Sequence, residues 1–103
     1  MEIHETIKAV RQWGREKGII GENGSGTPEA QLFKLLEEVG ELNHAIRCGS
    51  GVEIIDGVGD CTVVLILLSD LLGIKFEDCL LSAYEVISKR TGKMVGGTFI
   101  KDE

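Results

Sequence analysis

The sequence predicts an all-α fold, a bundle of four helices that is completed by association with further copies of the same chain. Apolar residues recur at helical spacing in four segments, and glycines or helix-capping residues separate these segments. Within the third segment, Cys61–Leu68 is apolar nearly all round. A helix of this kind has to be covered on every side, and a chain of 103 residues buries only a modest fraction of its surface. We therefore expect a homodimer or a homotetramer.

The first two helices begin and end at recognisable signals. Apolar residues along one side predict the first helix over residues 3–18. A glycine-rich loop follows at residues 21–26, and it is either a mobile connector or a lid over a substrate. Thr27 is a favoured N-cap, and the proline after it is favoured at the first helical position. The second helix would then end at Gly49, a residue type that favours helix C-termini.

The third and fourth helices follow after a short turn. Ser50 and Glu53 have the spacing of a capping box, which predicts a helix from there to about Leu72. A buried strand is the competing interpretation of its partly β-branched second half, but the length of the segment and the helical period beside it favour a helix. The fourth helix is expected over residues 75–90. The tail beyond it, Lys93–Glu103, is expected to dock on the bundle.

Composition and charge exclude several classes of function. The net charge of −6 argues against a nucleic-acid polymer as partner, because lysine and arginine have to neutralise its phosphates. The longest apolar run is far shorter than the roughly 20 residues of a membrane span, and residues 1–20 lack the apolar core of a signal peptide. Three cysteines without zinc-site spacing indicate reduced thiols. We expect one domain over residues 1–103, located in the cytoplasm.

Two clusters of acidic residues lie in otherwise apolar helical segments. They comprise Glu37, Glu38 and Glu41 in the second helix, and Glu53, Asp56 and Asp60 in the third. Carboxylates are rarely placed beside a core unless a cation meets them there, and oxygen ligands suit hard cations such as Mg²⁺ or Mn²⁺. A solvated acidic face, or a set of salt bridges between subunits, is the alternative interpretation.

Helical geometry can bring the two clusters together. At about 100° per residue, Glu38 and Glu41 lie about 60° apart, and Asp56 and Asp60 lie about 40° apart. Two helices joined by a short turn pack antiparallel, so the acidic stripes can face each other. We therefore predict a metal site between the second and third helices. Glu53 has a second interpretation, because it also completes the capping box.

The spacing of Glu41 and His44 permits a different metal. Glu-x-x-His is half of the motif of carboxylate-bridged di-iron bundles, and two copies of the chain would supply both halves. The motif is short and common by chance, so the simpler interpretation of His44 is an ordinary polar residue on a helix.

The pattern around the second helix resembles that of a known family. The residues that carry the resemblance are Gln31, Lys34, Leu35, Glu37, Glu38, Gly40, Glu41 and Leu42, followed by Gly59, Asp60 and an apolar run. This pattern resembles the MazG-like family of all-α nucleoside triphosphate pyrophosphohydrolases, whose signature is EExxE, a spacer and then ExxD. The segment Lys89–Met94 resembles the small phage and bacterial members.

The resemblance implies an activity and a role for each matching residue. The activity is Mg²⁺-dependent cleavage of a nucleoside or deoxynucleoside triphosphate between its α and β phosphates, a house-cleaning reaction on the nucleotide pool. Glu38, Glu41 and Asp60 would bind the metal, and Glu37 would be a further ligand or would orient the attacking water. The remaining roles would be phosphate binding by Lys34, Arg90 and Lys93, and base or sugar binding by Gln31 and Trp13.

One position departs from the family pattern. The signature places a glutamate three residues before Asp60, where this chain has Gly57. Asp56 is expected to take that role, with Glu53 as its rival. The departure leaves a catalytically inactive helical interaction module as an alternative function, and an iron-binding bundle is the third.

Overall fold

The computed structural model describes residues 1–103 and contains four helices followed by a β-hairpin. The elements are α1 (Ile3–Glu16), α2 (Pro28–Cys48), α3 (Gly51–Leu71), α4 (Phe76–Ile87), β1 (Gly92–Val95) and β2 (Thr98–Lys101). The predicted all-α bundle is confirmed with one addition, since the tail forms two short antiparallel strands. Helices α1 and α4 end two and three residues earlier than predicted.

The long helices α2 and α3 form the centre of the fold. Thr27 caps α2 by accepting a hydrogen bond from a backbone N–H at 3.1 Å. Gly49 ends α2 in the left-handed conformation, with φ of 71°. Ser50 then accepts a hydrogen bond from the N–H of Glu53 at 3.4 Å and caps the start of α3. Because only two residues separate the helices, α3 has to run back along α2.

Gly57 allows the closest approach of this helix pair. A Cβ atom at this position would lie 3.0 Å from Leu42 Cδ1 and 3.3 Å from Leu42 Cα. The backbone of α3 therefore meets α2 where a side chain would hold the two helices apart. The glycine that departs from the family signature is thus a packing residue.

Helix α1 packs on the second half of α3. Gly14 lies against Leu67, and Ile20, beyond the end of α1, is buried beside them. The glycine-rich loop folds back toward this corner, where the N–H of Gly26 donates to the carbonyl oxygen of Ile19 at 3.0 Å. The loop is therefore held by the segment that precedes it rather than extended away from the bundle.

Helix α4 leaves the bundle at a steep angle, with its axis bent by 104° from that of α3. A bidentate ion pair joins it to α1, since the guanidinium of Arg11 donates to both carboxylate oxygens of Glu77, one of them at 3.2 Å. No residue of α4 is fully buried, so this ion pair is an important attachment of the helix. None of the four helices has by itself the length and apolar character that a membrane span needs, whereas α3 and α4 have them together, as a bent pair.

The tail projects as a β-hairpin that packs on no helix of this chain. Gly96 and Gly97, both with positive φ, lie between its strands and form the turn. All eight strand residues are exposed. The expectation that the tail docks on the bundle is therefore wrong within one chain. The strands satisfy each other's backbone groups, and α4 carries them away from the other helices.

The buried core is small and lies where α1 and its loop meet α3. Nine of the 103 residues are buried, and Ile20, Ile66 and Leu67 are among the most completely covered. The predicted helical run Cys61–Leu68 is buried or half-buried apart from Leu65, which is exposed. A large part of the apolar surface of α2 and α3 consequently has no cover within the chain.

Candidate active site

A cleft of about 630 Å³ between α2 and α3 collects acidic residues from both helices. This acidic cleft is lined by Glu37, Gly40, Glu41, His44, Glu53, Asp56, Gly57 and Asp60. No lysine, arginine or apolar side chain is among its lining residues. The structure thus brings together four of the predicted metal ligands, namely Glu37, Glu41, Asp56 and Asp60.

The helical period places these carboxylates in the cleft. Glu37 and Glu41 are one turn apart on α2, and Asp56 and Asp60 are one turn apart on α3. Glu53 lies about one turn before Asp56, and it lines the cleft while its backbone N–H is capped. Only half of the predicted capping box forms, because the N–H of Ser50 donates to the carbonyl oxygen of Ala45 rather than to the carboxylate of Glu53. The Glu53 side chain lines the cleft instead.

Glu38 lies in a second pocket that adjoins the acidic cleft. This side pocket has a volume of about 440 Å³ and is lined by Trp13, Ile19, Ala30, Gln31, Lys34, Glu38, Asp60, Val63, Val64 and Leu67. Asp60 is common to both pockets. Glu38 and Glu41 line different pockets, although the sequence predicts that both bind one metal. They are about 60° apart around α2, and α3 packs so that each side chain lies in its own pocket.

Glu38 is a deeply buried carboxylate, with only 7% of its surface exposed. Lys34 Nζ lies 3.2 Å from Glu38 Oε1 and 3.5 Å from Glu37 Oε2. The hydrogen bond to Glu38 and the charges of both glutamates raise the pKa of Lys34, which therefore remains protonated. The other oxygen, Glu38 Oε2, is buried and has no hydrogen-bond partner. An acceptor left in this state costs about 1–3 kcal/mol, so a cation or donor bound beside it would be favoured.

The Cys61 thiol, next in sequence to Asp60, lies in a negative electrostatic potential. Burial raises the pKa of the Cys61 thiol, and the charges of Glu38 and Asp60 raise it further. The thiol is therefore protonated at neutral pH and is a poor nucleophile. The same potential favours the binding of a cation, and it opposes the binding of an anionic group such as a phosphate unless a cation accompanies it.

The carboxylates surround the acidic cleft without converging on one point. No three Asp, Glu, His or Cys side chains are close enough together to hold a metal ion. Carboxylates that face one another without a cation repel, so an open spacing is the arrangement of lower energy for the protein alone. Metal binding would therefore require these side chains to move towards the ion.

Comparison with known proteins identifies the family. A family model of the MazG nucleotide pyrophosphohydrolase domain matches residues 26–95. The chain belongs to this family. It is also 32% identical over 68 residues to an uncharacterised 18.2 kDa protein from the rep-hol intergenic region of Haemophilus phage HP1 (strain HP1c1). That alignment covers 66% of this chain and 40% of the phage protein, and no solved structure matches.

The match to the MazG domain covers both pockets almost completely. It includes α2, α3, α4 and β1, and it leaves out only Trp13 and Ile19 among the pocket residues. The resemblance inferred from the acidic pattern is thereby confirmed. Membership of the MazG family indicates nucleotide pyrophosphohydrolase activity.

The residues expected to bind substrate fall into two groups. Trp13, Gln31 and Lys34 come together in the side pocket of the MazG domain, next to Asp60. Arg90 and Lys93 line neither pocket, because Lys93 belongs to the projecting strand β1 and Arg90 precedes it. Their role in phosphate binding stays a prediction.

His44 and Glu53 have a larger place in the acidic cleft than the sequence indicates. His44 lines the cleft, although the simpler interpretation of the sequence is an ordinary polar residue on a helix. Its position one turn after Glu41 was the available signal. Glu53 and Asp56 also have the Glu-x-x-Asp spacing of the family signature, shifted by four residues, and both side chains line the cleft.

Proposed function

We propose that this MazG domain hydrolyses a nucleoside or deoxynucleoside triphosphate to the monophosphate and pyrophosphate, with Mg²⁺ or Mn²⁺ as cofactor. The observation that carries the proposal is the buried, partnerless Oε2 of Glu38 in the side pocket, which adjoins the acidic cleft at Asp60. One pocket offers only polar and acidic groups, and the other offers an aromatic ring, an amide and a lysine. A nucleotide that arrives with divalent cations requires both kinds of surface.

The donor atoms of the site suit a hard divalent cation, and the carboxylates, which line two adjoining pockets, would have to move towards the ion to bind it. These donors are carboxylate oxygens, which Mg²⁺ prefers, and the unsatisfied oxygen of Glu38 is available to a cation. Glu38, Glu41 and Asp60 would hold the metal, with Glu37 and Asp56 as further ligands directly or through water. When bound, Mg²⁺ neutralises phosphate oxygens and makes a nearby water more acidic.

The side pocket would position the nucleotide. Lys34 is the single lysine or arginine that lines either pocket, and its protonated amine would donate hydrogen bonds to phosphate oxygens. Trp13 is partly exposed at the pocket and offers an aromatic face on which a base can stack. The amide of Gln31 can both donate and accept, which suits the polar edge of a base or the sugar hydroxyls.

The carboxylates of the acidic cleft would act on the attacking water. Glu41 makes no ion pair, and Glu37 meets Lys34 only through Oε2 at 3.5 Å, so each keeps a carboxylate oxygen that can accept a hydrogen bond from water and orient it. Hydrolysis between the α and β phosphates would then release the monophosphate and pyrophosphate, and Lys34 would stabilise the negative charge of the pyrophosphate.

Replacement of Glu41 by glutamine tests this function. Pyrophosphate release would be measured with a panel of nucleoside and deoxynucleoside triphosphates in Mg²⁺. We expect Glu41→Gln to reduce the rate by at least about 100-fold, by comparison with the effect of losing even a supporting contact of a metal ligand, while circular dichroism shows an intact fold. Glu85→Gln, the same change on the exposed surface of α4, is the matched control and should keep full activity. Full turnover in EDTA, or by Glu41→Gln, would disprove the metal mechanism.

The same assay decides between catalysis and an inactive interaction module. Wild-type protein that is folded and yet releases no pyrophosphate from any nucleotide of the panel would favour the module. Gly57 in place of the family glutamate is the feature that motivates this alternative.

An iron-binding function is favoured by one observation, the presence of both Glu41 and His44 in the acidic cleft. Two such pairs from two copies of the chain would supply carboxylate and imidazole ligands. Iron retained by wild-type protein and lost in His44→Ala, measured by elemental analysis, would support this function. Equal iron content in the two proteins would remove it.

A further inference from the structure

Lys34 is the cation that pairs with carboxylates of the two pockets. Its Nζ lies 3.2 Å from Glu38 Oε1 and 3.5 Å from Glu37 Oε2. Glu38 lines the side pocket and Glu37 lines the acidic cleft, so one ammonium bridges carboxylates from both pockets. The other ion pair of the chain joins Arg11 to Glu77, which line neither pocket.

The ammonium of Lys34 compensates the negative charge of the site only in part. Six carboxylates line the two pockets, namely those of Glu37, Glu38, Glu41, Glu53, Asp56 and Asp60. Lys34 is the one lysine or arginine beside them. Glu38 Oε2 is buried and has no hydrogen-bond partner, although Oε1 of the same carboxylate meets Lys34. Because a buried carboxylate oxygen without a partner is unfavourable, the site favours a cation of higher charge than one ammonium.

The Lys34 side chain has the freedom to leave this carboxylate, whereas Glu38 is held in place. The side chain of Lys34 is 51% exposed, and that of Glu38 is only 9% exposed. Lys34 lies one turn before Glu38 on α2, and its ammonium is carried on a flexible stem of four carbons. The ammonium can therefore exchange one anion for another without any change in the backbone of α2.

The ammonium and a divalent cation compete for Glu38. Two cations beside the same carboxylate repel each other, so a metal that binds Glu38 has to displace Lys34. The displaced ammonium then needs another anion. Phosphate oxygens of a nucleotide in the side pocket would provide it, since lysine forms charge-assisted hydrogen bonds with phosphate.

We infer that Lys34 takes the place of the divalent cation in the protein without substrate, and that it passes from Glu38 to the nucleotide phosphates when the metal binds. The inference rests on the proposed function, because it needs a divalent cation and a substrate with phosphates at this site. Without nucleotide, Lys34 opposes metal binding, and a bound nucleotide removes this opposition. Metal and nucleotide therefore strengthen each other's binding by the same factor.

The binding of Mn²⁺ to the protein without nucleotide tests the inference. Electron paramagnetic resonance measures this binding, because the signal of free Mn²⁺ is lost when the ion binds. We expect Lys34→Gln to bind Mn²⁺ at least about tenfold more tightly than wild type, since the competing positive charge is gone. Lys34→Arg keeps that charge and should bind Mn²⁺ no more tightly than wild type.

Lys8→Gln is the matched control for the loss of one lysine charge. Lys8 is exposed on α1 and makes no ion pair, so its charge is screened by solvent and salt. The dissociation constant of Mn²⁺ for this variant should agree with that of wild type to within about twofold.

The sign of the change in Lys34→Gln separates the inference from a purely structural role. A lysine that only holds Glu38 in position for the metal would give weaker Mn²⁺ binding when it is replaced. Weaker or equal binding in Lys34→Gln would therefore overturn the inference and leave the metal mechanism of the proposed function intact. Absence of Mn²⁺ binding in wild type and in all three variants would disprove the metal on which both depend.

Thermal unfolding decides the outcome if Lys34→Gln fails to fold without metal. The substitution leaves the buried Glu38 without its counter-charge, so the variant should be less stable than wild type when no metal is present. Mn²⁺ should then replace the ammonium and raise the melting temperature of Lys34→Gln by more than it raises that of wild type. A rise no larger than that of wild type, or a variant that stays unfolded in Mn²⁺, would overturn the inference.

Discussion

Glu38 combines deep burial with an unsatisfied carboxylate oxygen, two properties that rarely occur together. Lys34 compensates Oε1, and no group of the chain compensates Oε2. A charged group kept in this condition reduces stability, and buried groups of this kind concentrate at functional sites. Glu38 is therefore the residue that most clearly distinguishes this site from a solvated acidic face.

Asp56 and Glu53 compete for the role of the glutamate that is absent at position 57. Both line the acidic cleft, and only Asp56 is one turn from Asp60. We expect Asp56→Asn to raise the Mg²⁺ concentration needed for half-maximal activity at least about tenfold, while the melting temperature holds or rises because repulsion from Asp60 is relieved. The measurement is a Mg²⁺ titration of pyrophosphate release. Unchanged Mg²⁺ dependence in Asp56→Asn, with loss of it in Glu53→Gln, would transfer the role to Glu53.

Replacing Gly57 by the glutamate of the family signature is expected to reduce the stability of the protein. A side chain there meets Leu42, including its backbone Cα at 3.3 Å, so the helices would have to separate. We expect Gly57→Glu to destabilise the protein by about 1–3 kcal/mol in urea denaturation and not to raise activity. Gly40→Ala, in open space on α2, is the control and should stabilise by about 0.5–1 kcal/mol. A more stable or more active Gly57→Glu protein would contradict the packing argument.

Part of the site could be predicted from helical periodicity. Glu37, Glu41, Asp56 and Asp60 meet in one cleft because each pair lies one turn apart on helices whose caps were recognisable. The position of Glu38 could not be predicted in this way. A helical wheel gives angles between side chains, whereas the boundary between two pockets depends on where α3 lies against α2.

The helix boundaries that depend on capping residues next to them in the sequence were predicted correctly. The N-cap of α2, the left-handed glycine at its end and the cap of α3 all lie where the sequence indicates. The hairpin was missed, although Gly96 and Gly97 between two short apolar pairs are a turn signal. The steep departure of α4 could not be predicted from local signals, and the ion pair that attaches α4 to α1 joins residues 66 positions apart in the sequence.

The attachment of α4 to α1 should depend on pH. The hydrogen bonds from Arg11 lower the pKa of Glu77 from its ordinary value near 4.5 to about 2. Because the folded-state pKa is lowered, the pair stabilises the fold fully above pH 4.5, and this stabilisation is lost as the pH falls towards 2. The carboxylate is partly exposed, so its contribution is about 1 kcal/mol at most.

The substitution Glu77→Gln isolates this contribution. We expect the variant to be less stable than wild type at pH 7 by about 1 kcal/mol or less and equally stable near pH 2, as measured by urea denaturation at several pH values. Glu85→Gln on the same helix should show no pH-dependent difference. If Glu77→Gln were still less stable than wild type at pH 2, the difference in unfolding free energy would not come from the ion pair between Arg11 and Glu77.

On the scale of the whole molecule, the α2–α3 pair has two different faces. One face carries the carboxylates, and the other carries exposed apolar residues that include Leu36, Val39, Ile55 and Val58, so the predicted association of chains would use the same two helices as the chemistry. The sequence predicted an uncovered face from the all-round apolar run, but the structure places greater exposure elsewhere, at residues such as Ile55 and Leu36. The reason is that α1 and its loop cover most of Cys61–Leu68 within the chain.

Thermal unfolding should therefore depend on protein concentration. If unfolding is coupled to separation of two chains, a tenfold rise in concentration stabilises the dimer by about 1.4 kcal/mol. With an unfolding entropy proportional to the length of both chains, the melting temperature should rise by about 3 °C per tenfold increase in concentration. Calorimetry of reversible transitions over a hundredfold range provides the measurement. Ile3 on α1 and Ile55 on α3 are equally exposed, at 73%. Ile3→Glu should show the wild-type slope, and Ile55→Glu should show a smaller one, since a charge on the exposed apolar face of α3 would weaken the association of the chains. A melting temperature that is independent of concentration in wild type would mean that the chain unfolds alone, and that the thin core around Ile20 and Leu67 is sufficient for its stability.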